Sequence, residues 1–97
     1  MVVGSLRVTL HVPESHSLKD KRMVVRSLVA RLRQTFNVAV AEVADMDTWQ
    51  VATLGIVCVS ADSRHADEMS QKALRFVEEN CGDALVTGSA FELVHLG

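Results

Sequence analysis

"VAVAEVADMDTWQVATLGIVCVS", residues 38–60, decides how this chain folds. Residues 38–45 read as a strand, "DMD" at 45–47 as a turn, and "WQVATLGIVCVS" at 49–60 as the most apolar strand of the chain. A near-continuous apolar run of that kind belongs in the middle of a sheet. The connection is too short for a crossover, so the two strands must pair as an antiparallel hairpin.

On its N-terminal side the hairpin is preceded by a helix and another strand. Leu6, Val8, Leu10 and Val12 alternate with Ser5, Arg7, Thr9 and His11, the pattern of a half-buried strand. Pro13 ends it, because proline has no N–H for a ladder. Ser17 followed by Asp20 fits a capping box with Asp in place of the usual Glu. Leu18, Val25, Leu28, Val29, Leu32 and Phe36 then recur at helical spacing, and Asn37 supplies a stop.

After the hairpin, Asp62 or Ser63 caps a second helix whose buried face is Ala66, Met69, Ala73, Phe76 and Val77. Gly82 is placed for a left-handed stop. Residues 84–95 form a last strand, weakened by Gly88. The order β-α-β-β-α-β predicts a ferredoxin-like α+β fold over residues 1–97: one domain, a four-stranded antiparallel sheet, and both helices on one face. At 97 residues and 48% hydrophobic content the chain can build one modest core and is not disordered. With three Phe, one Trp and no Tyr, that core must be mostly Val, Leu and Ala.

The charge is unevenly placed. Formal net charge is -2, yet six of the ten Lys and Arg residues lie between Lys19 and Arg33, with Asp20 the lone acid in that span. At about 100° per residue, Lys19, Arg22, Arg26 and Arg33 fall within about 60° on one flank of the apolar face, and Lys21 and Arg31 on the other. A cationic row can follow a polyanion backbone, and RNA is the expected partner. Arg64 would extend the patch at its far end. The competing reading is a solvated helix face, although such faces usually mix Glu with Lys. Pairing of Asp45 or Asp47 with Lys19 or Lys21 would consume part of the charge, since the hairpin tip should lie beside the helix N-terminus.

The sheet offers a second surface. With Leu54, Ile56 and Cys58 facing the helices, Val51, Thr53, Val57 and Val59 face away, and that outer face is too apolar to stay uncovered. It lacks the aromatics that stack RNA bases in an RNA-recognition motif. A homodimer, or docking of another protein, is the expectation there. Trp49 reads as an anchor at the core edge, with a base-stacking platform as the alternative.

Chemistry is thinly represented. Ser15, His16 and Ser17 are adjacent and lack the geometry of a triad, and a small-molecule or metal site at His16, Asp45 and Asp47 is a remote alternative. His11 and His95 belong near opposite ends of neighbouring strands. No glycine-rich phosphate loop, cofactor motif or metal-ligand spacing appears, and no enzyme activity is expected. Cys58 and Cys81, without a CxxC, read as buried free thiols. The absence of a targeting pattern or a long apolar run predicts a soluble, cytoplasmic protein that does not enter a membrane.

The segments "SLKDKR", "FNVAVAEV", "WQVATLGI" and "SADSRHA", in this order and spacing, resemble the YlxP-like family of small bacterial proteins of unknown function. The resemblance spans nearly the whole chain. It implies a ferredoxin-like fold, consistent with the pattern above, and brings no established activity or catalytic residue. Family genes often stand among translation-initiation and ribosome-maturation genes, which implies a role near RNA or a ribosomal subunit. Ser17, Leu18, Lys19, Lys21, Arg22, Glu42, Trp49, Gln50, Gly55, Arg64 and His65 are the prominent positions that the resemblance carries over.

Overall fold

The computed structural model describes all of residues 1–97. Strand β1 (Val2–His11) leads to helix α1 (Leu18–Thr35), the hairpin β2 (Ala39–Ala44) and β3 (Val51–Ser60), helix α2 (Ser63–Asn80) and strand β4 (Leu85–His95). The strand order is β2-β3-β1-β4, all neighbours antiparallel, with both helices on one face. This is the ferredoxin-like arrangement expected from the element order. α1 rests on β2 and β3, while α2 rests on β1, β3 and β4.

Alternation sets which side chains meet. Leu6, Val8 and Leu10 of β1 and Ala52, Leu54 and Ile56 of β3 are buried under the helices, with Val12 just past the strand end. Val25, Leu28 and Leu32 of α1 and Ala73 and Val77 of α2 close over them. Phe36 and Phe76 meet edge to face, 5.6 Å between centroids, and join the two helices. Cys58 and Cys81 are buried free thiols, as the pattern predicted.

Both helices start on side-chain caps. Ser17 accepts from the Asp20 amide and Asp62 from the His65 amide, at 3.1 and 2.8 Å. The Asp20 carboxylate accepts from the His16 amide, one residue earlier than a capping box would have it. α2 ends at Cys81, and Gly82 follows at φ +60°, the left-handed stop read from the sequence.

Two irregularities shape the sheet. Along the β1–β4 pair, Thr9 opposes Gly88 but Leu10 opposes Val86, so Thr87 is an extra residue beside the glycine. Along β2–β3, Glu42 opposes Leu54 but Ala44 opposes Thr53, so Val43 is extra. The second bulge bends the hairpin tip and sets up the interactions described next.

Candidate nucleic-acid interface

The basic segment divides once its side chains are placed. Lys19, Arg22 and Arg26 are exposed and make no hydrogen bond or ion pair within the chain. Arg33 is exposed, and its Nη2 donates to the Val40 carbonyl on β2 at 2.8 Å. Arg31 Nη2 donates to the Asn80 carbonyl at the end of α2, 2.7 Å away, on the opposite flank. Each of these two arginines spends one of five N–H donors and keeps the rest for other acceptors. Arg64 lies on α2, where its Nε pairs with Glu68 one turn on at 3.3 Å and the rest of its guanidinium is exposed.

Lys21 departs from expectation. Its side chain is fully buried, not on a flank, and cannot reach a phosphate without leaving the core. Nζ donates to the carbonyls of Asp45, Met46 and Val51 at 2.7, 3.2 and 3.1 Å. Those three bonds use all three ammonium protons. Glu42 Oε2 lies 2.9 Å from Nζ, buried and accepting no hydrogen bond of its own, and balances the charge. A buried ammonium persists only where it is both paired and hydrogen-bonded. The signal was present in the sequence: Leu18, Lys21, Val25, Leu28 and Leu32 follow the spacing of a buried stripe, and at 100° per residue Lys21 falls between Leu28 and Leu32. The expected pairing of Lys19 or Lys21 with Asp45 or Asp47 is thus realised differently, through the Glu42 carboxylate and the Asp45 backbone.

Lys21 fixes the hairpin tip against the first turns of α1. The loop has further ties: Thr53 Oγ1 donates to Asp45 Oδ2 at 2.7 Å, Thr48 N to Asp45 O at 3.1 Å, and Val12 N to Gln50 O at 2.8 Å. Gln50 Nε2 reaches the Pro13 and Ser15 carbonyls, both at 3.3 Å. Asp45 sits at φ +60°, a left-handed conformation tolerated by Asp because its short side chain bonds locally.

On this anchored loop Trp49 is 54% exposed and Met46 52%. The expected role of Trp49 as a core-edge anchor is therefore corrected. The loop geometry points the indole outward, and the small core is completed by aliphatic side chains instead. Engagement of Asp45 with Thr53 likewise removes it from a site with His16 and Asp47. A groove of about 360 Å³ between α1 and the α2–β4 turn is lined by other residues, among them Met23, Leu28, Arg31 and Asp83.

The outer sheet face is mostly as expected. Val59 is exposed, and Val51 and Val57 are half-buried. Thr53 is the exception: the bulged hairpin folds Asp45 over it and it is buried, so it offers nothing to a partner. Gly55 lies between them beneath Val43, whose Cγ1 would stand 2.8 Å from an added Cβ. A side chain, not a backbone, makes that approach.

Residues 3–89 match the family described as "Protein of unknown function (DUF503)". The chain belongs to this family. A relative, "Uncharacterized protein YlxP" of Bacillus subtilis, is 30% identical over 77 residues, covering 79% of this chain and 84% of the relative. Among solved structures, Rv0793 from Mycobacterium tuberculosis aligns over 99% of this chain and 95% of its own, with TM-score 0.49 and 15% identity. A dimeric ferredoxin-like protein of unknown function from Thermobifida fusca aligns over 97% and 92%, with TM-score 0.43 and 10% identity. No helix of this DUF503 chain is long and apolar enough to cross a membrane.

Proposed function

We propose that this DUF503 protein is a non-catalytic binding protein that holds the phosphate backbone of RNA, alone or within a ribosomal subunit, along the exposed face of α1. The observation that carries this reading is the sign of that face. Lys19, Arg22, Arg26 and Arg33 are all exposed on one flank, and α1 itself carries no exposed acid; Arg31, on the other flank, shares a groove with exposed Asp83. Asp20, the lone acid of α1, is half-buried and bonded to the His16 amide. Phosphate contacts of this kind position a protein without reading bases.

The test is co-sedimentation with ribosomal subunits across a salt series, with Lys19, Arg22 and Arg26 changed to Glu in a parallel variant. Wild-type binding that weakens steeply with salt, and at least tenfold weaker binding by the folded variant, is the expected result. Binding indifferent to salt and to the three substitutions overturns the reading.

A second reading concerns the opposite side of the molecule. The outer sheet face presents exposed Val59 among half-buried Val3, Val51, Val57 and Val94. Self-association through this face would bury them, and it uses no residue of α1. Light scattering at high concentration should then give a dimer that Val59→Lys dissociates. A monomeric wild type contradicts it.

A further inference from the structure

The fold buries Lys21 against the hairpin tip and leaves the chain's one tryptophan exposed on the same loop. We infer that the 45–50 loop is a recognition element in which Trp49 stacks on an unpaired base of single-stranded RNA. This rests on the reading of α1 as the phosphate-binding face. Burying an ammonium is costly, a buried ion pair is weak evidence for stability, and in some proteins such a pair specifies one arrangement. Here the arrangement it specifies is the hairpin tip, since all three Lys21 donors end on carbonyls of Asp45, Met46 and Val51. Asp45 adds a left-handed backbone held by Thr53, and such strained residues gather where a loop must keep one shape.

What the anchored loop presents is an indole. Trp49 is flanked by Thr48, whose amide is tied to Asp45, and by Gln50, tied through its side chain and carbonyl to the β1–α1 connection. The ordering cost is met by the protein's own bonds before any ligand arrives. Lys19 lies two residues before Lys21 and Arg22 directly after it, so the cationic row begins at the end of the molecule where the loop is pinned. Exposed Asp47 on the loop disfavours a phosphate there. Backbone on the helix and base on the loop is the division that satisfies both charges. An indole can stack on any base, but only where the base is unpaired and its face is free.

The chain has one Trp and no Tyr, so its intrinsic fluorescence reports this loop alone. Titration at low salt with a single-stranded oligoribonucleotide should quench it. Trp49→Ala should weaken single-strand binding, followed by anisotropy of labelled RNA, about fivefold or more, while Trp49→Phe retains most of it. Binding of the matching duplex should be unchanged by Trp49→Ala. The inference is overturned, with the α1 reading intact, if Trp49→Ala binds single strands like wild type while the Lys19, Arg22 and Arg26 to Glu variant does not. It is overturned in favour of a protein contact if Trp49→Ala loses ribosomal subunits but keeps naked RNA. Equal loss of single and double strands also overturns it, since stacking cannot explain that. A wild type that binds no RNA at low salt removes both this inference and the reading beneath it.

Discussion

α1 and α2 are built alike and dressed differently. Each is 18 residues long, begins on a side-chain cap and lies on the same face of one sheet. On α2, Arg64, Lys72 and Arg75 alternate with Asp67, Glu68, Glu78 and Glu79, and Arg64 pairs with Glu68. That is what a helix does when its outer face only has to meet water. α1 carries its cations unopposed and places its one further cation, Lys21, inside. Shared architecture with opposite treatment of charge shows that the fold alone does not require the cations of α1 to stand unopposed.

The sharpest way to probe the contrast is to remove the cation that α1 buries. Lys21→Ala would leave the Glu42 carboxylate and the carbonyls of Asp45, Met46 and Val51 without their cation at a partly buried site, costing about 3 kcal/mol. That is a large part of the roughly 5–15 kcal/mol available to a small domain. Urea unfolding should show it directly, and a midpoint close to wild type would mean that Lys21 does not anchor the hairpin. A smaller effect tests the claim that the helices are otherwise equivalent. Ser17→Ala and Asp62→Ala should each cost about 1 kcal/mol. If one cap costs several times the other, the helices differ in construction and the comparison of their charges loses its control.

The element order was readable because each strand and helix kept one period throughout. Leu6, Val8 and Leu10 alternate, and Val25, Leu28 and Leu32 keep helical spacing, so local pattern and tertiary packing agree. The site was readable only where exposure follows from that pattern, as for Lys19, Arg22 and Arg26. The charge of Lys21 points to solvent, its position in the buried stripe points to the core, and position decides. Periodicity put Thr53 on the outer face but not under Asp45, and it says nothing of Trp49, which lies in the loop. The burial of Thr53 depends on the bulge at Val43 and on the tip that folds Asp45 over it. A one-residue irregularity has no period, and its consequences appear only when the two strands are paired.

The central claim is that the α1 face, and not basic charge in general, holds RNA. The direct measurement is the salt dependence of affinity for one single-stranded RNA, compared between two variants. In the first, Lys19, Arg22 and Arg26 become Gln; in the second, Arg64, Lys72 and Arg75 become Gln. With about 0.7 of the logarithmic slope per phosphate contact on a single strand, the α1 variant should lose about 2 from the slope and the α2 variant almost nothing. Equal losses from both variants, or no loss from the first, would contradict the account.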